Sequence, residues 1–157
     1  MDSKSEKLLV HLIRTTRVAA LGTLRDGAPQ VSLVAFTCTQ DFSAFFIHVS
    51  RLAQHTLDMQ KDQRVSLMIS ETDDGRVEPQ GLARLSVRGS AIFMPLGEPG
   101  YTPAKALYLD RFPESETLFG LEDFGLWRIA PKGARYIAGV ARAFNLTPDA
   151  LQNSAKR

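Results

Sequence analysis

Among the residues able to do chemistry, the most telling group is Ser50-Arg51-Leu52-Ala53-Gln54-His55-Thr56. It follows the apolar run Phe45-Phe46-Ile47-His48-Val49, which reads as a buried strand, and it opens a helix over residues 51–61. Ser50 is then a natural N-cap, since a hydroxyl accepts from the free N–H groups of a first helical turn. Arg51 is the unexpected choice, because a cation at a helix N-terminus meets the positive end of the dipole. An anion held between those N–H groups and the guanidinium removes the conflict. The junction is therefore a candidate phosphate cradle; the plain alternative is a capped helix with a solvated Arg.

Other chemistry is sparse. His11, His48 and His55 lack metalloprotease spacing, and no second His shares a helix with His55. His55 falls one turn after Arg51 on the same helix face and reads as a hydrogen-bonded structural group or as an extension of the anion site; His48 shares a strand face with Phe46 and Ser50 and reads as pocket lining or a satisfied core group. The carboxylates are scattered. Gly97-Glu98-Pro99-Gly100 lacks the Gly-Lys-Ser/Thr ending of a phosphate loop, and no Ser sits in a nucleophile elbow. The single cysteine, Cys38, lies in an apolar segment and excludes both an intrachain disulfide and a thiolate zinc cluster. No catalytic group and no metal site is visible, so an enzyme of this sequence would rely on a cofactor.

The elements that must position these residues are mostly strands. Leu8, Leu9, Leu12 and Ile13 recur at helical spacing, which predicts an amphipathic helix over 4–16. Strands are expected at 17–24 and 30–39, joined by a turn at Arg25-Asp26-Gly27. The second strand puts Val31, Leu33 and Ala35 on one face and Ser32, Val34 and Phe36 on the other. Further strands are expected at 43–49, 64–70 and 82–93. The last carries Ala83, Leu85, Val87 and Gly89 on one face, and Arg84, Ser86, Arg88 and Ser90 on the polar one. Thr102-Pro103 predicts the start of a helix over 103–111, ended by Pro113. Residues 124–129 and 135–140 read as a final hairpin through Pro131-Lys132-Gly133, and Thr147-Pro148 as the start of a short terminal helix. About seven strands, mostly joined as hairpins with helices inserted singly, describe a mainly β chain forming an antiparallel barrel rather than a βαβ array.

Composition bounds the rest. At 157 residues and 44% hydrophobic, the chain reads as one globular domain, 1–157, with its core at about 7–143 and a short tail at 144–157. The net charge of +2 and the dispersed basic residues argue against nucleic acid. No apolar run approaches membrane-spanning length, and the first residues lack a signal-peptide core, so no membrane association and a cytoplasmic location are expected.

Several segments, in order and spacing, resemble a known family: RVAALGTL at 17–24, DGAPQVSLV at 26–34, SRLAQHT at 50–56, RVSLM at 64–68 and RLSVRGSA at 84–91. The sequence resembles the FMN-binding split β-barrel family, the pyridoxamine 5′-phosphate oxidase-like proteins. FGLWRIAP at 124–131 and YIAGVARA at 136–143 look closest to the branch that includes heme-utilisation proteins. The resemblance implies a split antiparallel β-barrel with peripheral helices, a homodimer, and a cofactor site between the subunits. It implies FMN as cofactor, with oxidoreductase chemistry on a small-molecule substrate or electron donor, and heme as the alternative cofactor on the same fold. It places Ser32, Leu33 and Val34 along the flavin, Ser50, Arg51 and Leu52 at the phosphate, Arg84 at the ring, and Trp127 as an aromatic supplied by the partner subunit.

The departures are specific. Pyridoxamine phosphate oxidases proper carry Arg and Lys at the ends of the second-strand motif, where this chain has Val31 and Phe36, and a basic residue at Leu52. Their substrate-phosphate signature near the C-terminus is missing, so vitamin B6 oxidation is not expected. The heme branch often uses a His near the C-terminus as axial ligand; no His follows His55, so that ligation is not expected either.

Overall fold

The computed structural model describes residues 1–156. Helix α1 (Ser3–Thr15) is capped by Asp2 and buries Leu9, Leu12 and Ile13. Strands β1 (Val18–Arg25) and β2 (Ala28–Ala35) form a hairpin through Asp26 and Gly27, both at positive φ, the tight turn whose twist suits paired strands. Then follow β3 (Thr37–Cys38), β4 (Phe45–Ser50), α2 (Gln54–Lys61), β5 (Arg64–Ser70), β6 (Arg84–Met94), α3 (Tyr101–Arg111), α4 (Glu116–Phe119), β7 (Phe124–Gly139), β8 (Arg142–Leu146) and α5 (Pro148–Ser154).

All eight strands belong to one antiparallel sheet in the order β2-β1-β5-β6-β7-β4-β3, with β8 also on β7. The sheet's two edges, β2 and β3, are consecutive in the chain and separated only by Phe36. The sheet must therefore curl until its edges meet without pairing, which is a split barrel. The expected strand over 30–39 breaks at this corner. Phe36 buries its ring fully against Phe45, its N–H donates to Arg17 O in the register of the β1–β2 ladder, and its carbonyl accepts from Arg111 Nη1 rather than from a strand.

The inward faces of the strands, with α1 and Leu151 of α5, build the main core around Phe36, Phe45, Ile47, Leu67, Leu85, Ile129 and Tyr136. A smaller cluster of Ala44, Phe46, Met94, Ala104 and Leu126 lies beneath α3. Within the stretch expected as a tail, residues 144–146 form the end of β8 and residues 148–154 form α5, which buries Leu151. Among the described residues, no helix is long and apolar enough to cross a membrane.

Two further expectations are corrected. The final hairpin does not exist: residues 124–139 are one strand, and Pro131-Lys132-Gly133 is a bulge within it. Both halves of β7 lie along the same long β6, and β7's other edge is shared by β4 and β8. Pro131 stands opposite Gly89 at the register shift, where a missing donor is tolerated. Gly89 is obligatory there, since a Cβ would lie 2.3 Å from Ala130 O. The third helix starts at Tyr101 rather than 103, with Gly100 as N-cap. Pro103 then sits in the first turn, where its absent N–H has no intrahelical role.

Candidate functional site

The Ser50–Thr56 junction is folded differently from its sequence reading. Helix α2 begins at Gln54 with Ala53 as N-cap, so Ser50 is not the helix cap. Three residues of turn intervene, and their N–H groups are already engaged. Arg51 N–H donates to Asp123 O (2.5 Å), Leu52 N–H to Ser50 Oγ (3.2 Å) and Ala53 N–H to Ser50 O (3.2 Å). Ser50 O also accepts from Thr56 Oγ1 at 2.6 Å. The Arg51 guanidinium donates to Glu122 O at 3.3 Å and so straps the end of β4 to the 120–123 loop. Leu52 is 80% exposed.

The other sequence candidates disperse. On β2, Leu33 faces outward, Val34 is buried in the core, and Ser32 is half-buried on Val34's side. Arg84, at the start of β6, donates to Gln80 O (3.3 Å) and Leu82 O (3.0 Å). Trp127 pairs with Phe93 at the other end of β6, nine positions or about 30 Å from Arg84 at strand spacing. Trp127 is buried against Phe93, with Nε1 unpartnered. Ser50, Arg51, Leu52 and Trp127 thus share one end of the molecule, and Arg84 lies at the other.

His48 is buried on the outer side of β4, stacked on Phe119 at 3.7 Å and packed against Tyr108 and Phe124. Burial, with Lys105 nearby, pulls its pKa down to about 4. Burial also lowers that of His55. His48 Nδ1 and His55 Nε2 have no hydrogen-bond partner. Asp58 of α2 is a structural anchor: it accepts from Thr23 Oγ1 (2.9 Å), Arg25 Nε (2.9 Å) and Gln54 Nε2 (3.2 Å), and the Arg25 guanidinium holds its pKa near 2.

What the fold does assemble is a trough on the outer face of the sheet, about 450 Å³ in volume. Cross-strand pairing places Val31, Gly22, Ser66, Arg88 and Gly133 in one row across β2, β1, β5, β6 and β7. The small residues Gly22 and Ser66 keep the floor low. The next row, Leu33, Ala20, Met68 and Ser86, extends the same face. Val18, Val31, Leu33 and Met68 on this face are exposed large apolar side chains, an unusual concentration for a free surface. At the opposite end stand Arg64, Arg88 and Lys132. Arg64 is neutralised by a two-point contact with Asp62. A larger cleft, about 640 Å³, lies between α1 and the 71–82 segment. There Arg76 is paired with Asp74, and Glu71 caps Ala83 N–H, so the cleft gathers no free charge of one sign from these groups.

Sequence reading missed the trough for two reasons. Its floor is made of residues without functional groups, and Lys132 was taken for the tip of a turn. The recoverable signal was the run of apolar residues on the outer face of β2. Among the described residues, no group of three or more His, Cys, Asp or Glu side chains could hold a metal ion.

The pyridoxamine 5′-phosphate oxidase family matches the chain over residues 5–138. This chain is a member of that family. In fold, the heme binding protein from Mycobacterium smegmatis superposes with a TM-score of 0.85 at 23% identity, covering 98% of this chain and 62% of that one. In sequence, the chain is 36% identical over 120 residues to the chloroplastic non-canonical heme oxygenase HOZ of Arabidopsis thaliana, covering 76% of this chain and 35% of the relative. It is 25% identical over 127 residues to the heme oxygenase HutZ of Vibrio cholerae, covering 80% and 71%. The chain thus spans about a third of the plant relative's length.

Proposed function

We propose that this chain is a heme-binding member of the pyridoxamine 5′-phosphate oxidase family, working as a homodimer. In this reading it takes the macrocycle on the outer face of β2, β1, β5 and β6 and handles heme in the sense of the two heme oxygenases it is similar to. One observation carries the reading: that face is broad, low-floored and apolar at Val18, Val31, Leu33 and Met68, yet its far end is cationic. This is the chemistry that suits a flat apolar ring bearing acid groups. Heme, when bound, would supply the redox and oxygen chemistry; the chain's part is to shelter one ring face, exclude water and orient the macrocycle.

The flavin reading has less to support it. The three N–H groups of the Ser50 junction are engaged internally, Arg51 is turned to the 120–123 loop, and cations are lacking at Val31, Phe36 and Leu52. No histidine lines the trough, so iron ligation by this chain's imidazoles is not part of the proposal.

Hemin titrated into the apo-protein should produce a saturable Soret band at one equivalent per protomer, while FMN fluorescence stays unquenched. Saturable FMN quenching without a Soret change would replace heme by flavin in this reading.

A further inference from the structure

The β6–β7 bulge does more than interrupt a ladder. Across it, one step on β6, Arg88 to Gly89, is matched by two on β7, Gly133 to Pro131. Lys132 is the extra residue, lifted out of the pairing beside Arg88. The Arg88 guanidinium lies over Gly133: a Cβ at that position would stand 3.1 Å from Nη2. The glycine leaves the space in which the guanidinium rests. Three cations border this end of the trough, and one, Arg64, is already paired with Asp62. Arg88 and Lys132 have no carboxylate or hydrogen-bond partner among the described residues. Two cations without a carboxylate partner, on adjacent strands at the rim of an apolar trough, make an anion site beside that apolar floor.

We infer that Arg88 and Lys132 form the carboxylate clamp of the trough, binding the acid side chains of a tetrapyrrole whose ring lies toward Val31 and Leu33. The inference rests on the heme reading above and names the residues that set the orientation of the ligand within it. Four strand spacings, about 19 Å, separate Val31 from Gly133, so ring and acid groups can be served at once. Arg88 suits the task because its planar fork grips a carboxylate at two points, whereas Lys132 adds a mobile point charge. Gly133 is the positioning residue for that fork.

The test compares hemin with its dimethyl ester, which keeps the ring and iron but has no carboxylate charge. In the parent protein hemin should bind at least tenfold more tightly than the ester, and this preference should shrink as ionic strength rises. The double variant Arg88→Ala/Lys132→Ala should lose about 10–100-fold in hemin affinity while ester affinity changes less than about twofold. Gly133→Ala retains every charge but crowds the guanidinium, and it should weaken hemin alone. Both cations are exposed, so the folded state is expected to survive; the thermal melt of each variant checks this. Equal hemin binding by the parent and double variant overturns the clamp and leaves the heme reading standing. Equal losses for hemin and ester also overturn it, as damage to the trough in general. A parent protein that binds neither compound overturns the heme reading itself. FMN binding that depends on the same pair, with riboflavin unaffected, reassigns the cations to a phosphate.

Discussion

His48 shows what a single polar atom does when a fold encloses it. Its ring lies parallel to Phe119, and the Lys105 ammonium stands 5.2 Å from the centre of that same Phe119 ring. A second cation in this aromatic stack is disfavoured both by burial and by Lys105, and the pKa falls to about 4 from an ordinary 6.5. The unfolded chain therefore takes up this proton at a higher pH than the folded one. Stability from this source is complete above the unfolded value and is lost as pH falls through the window from 6.5 toward 4. His48→Phe keeps an aromatic ring in the stack and removes the titrating group. Urea unfolding should show an unchanged or slightly raised midpoint at about pH 7.5, since an unpartnered buried nitrogen is gone, and a flatter decline toward about pH 5. His55, also lowered by burial, leaves a residual slope. A full parental slope in the variant would place the titrating group elsewhere.

Among the elements, α3 has a role its sequence hides. Its last residue, Arg111, sends Nη2 to Ile13 O (3.2 Å) and Arg14 O (2.9 Å), and Nη1 to Thr16 O (3.1 Å) and Phe36 O (3.3 Å). Three of these carbonyls belong to the end of α1, where the last turn lacks intrahelical donors. The fourth belongs to the corner between β2 and β3. One guanidinium thus holds the N-terminal helix and the split of the barrel together, over the face of Phe36. Arg111→Ala should destabilise the protein by about 2–4 kcal/mol in urea unfolding. Arg111→Lys should recover little, because an ammonium cannot span four carbonyls in one plane. Amide exchange should quicken first at the C-terminal turn of α1; unaltered exchange there would show that the cap is redundant.

For the whole molecule, the open outer face is decisive. Leu33 is 73% exposed and Val31 76%, and beside them Val18 and Met68 continue the patch. A second copy covering this face would bury it and enclose the trough. Light scattering at micromolar concentration should therefore give twice the chain mass of 17.3 kDa. A stable pair requires at least about 1,200 Å² of interface. Leu33→Glu places a charge at the patch without touching the core. It should shift the protein toward monomer and weaken hemin uptake while the melting temperature of the fold is retained. A dimer unaffected by Leu33→Glu would move the interface to another surface.

Much of this protein follows from local pattern. Alternation along 17–24, 64–70 and 82–93, the Asp26-Gly27 turn and the spacing of Leu8, Leu9, Leu12 and Ile13 are properties of single segments, and those elements form with ends shifted by at most two residues. The segments quoted from 17 to 91 also sufficed to place the chain in its family. Long-range pairing decided the rest. Pro131-Lys132-Gly133 has turn composition, but a continuous β6 is paired along both flanks, and ladder formation outweighs local turn preference. Ser50 has the composition of a helix cap, but Asp123 O takes the next N–H, and the helix starts three residues later than read. The trough exists only because Gly22, Ser66, Arg88 and Gly133, far apart in the chain, fall in one row of the sheet. Sequence periodicity reports which face a side chain takes; only tertiary register decides which side chains meet, because it depends on pairings between strands that local preferences do not encode.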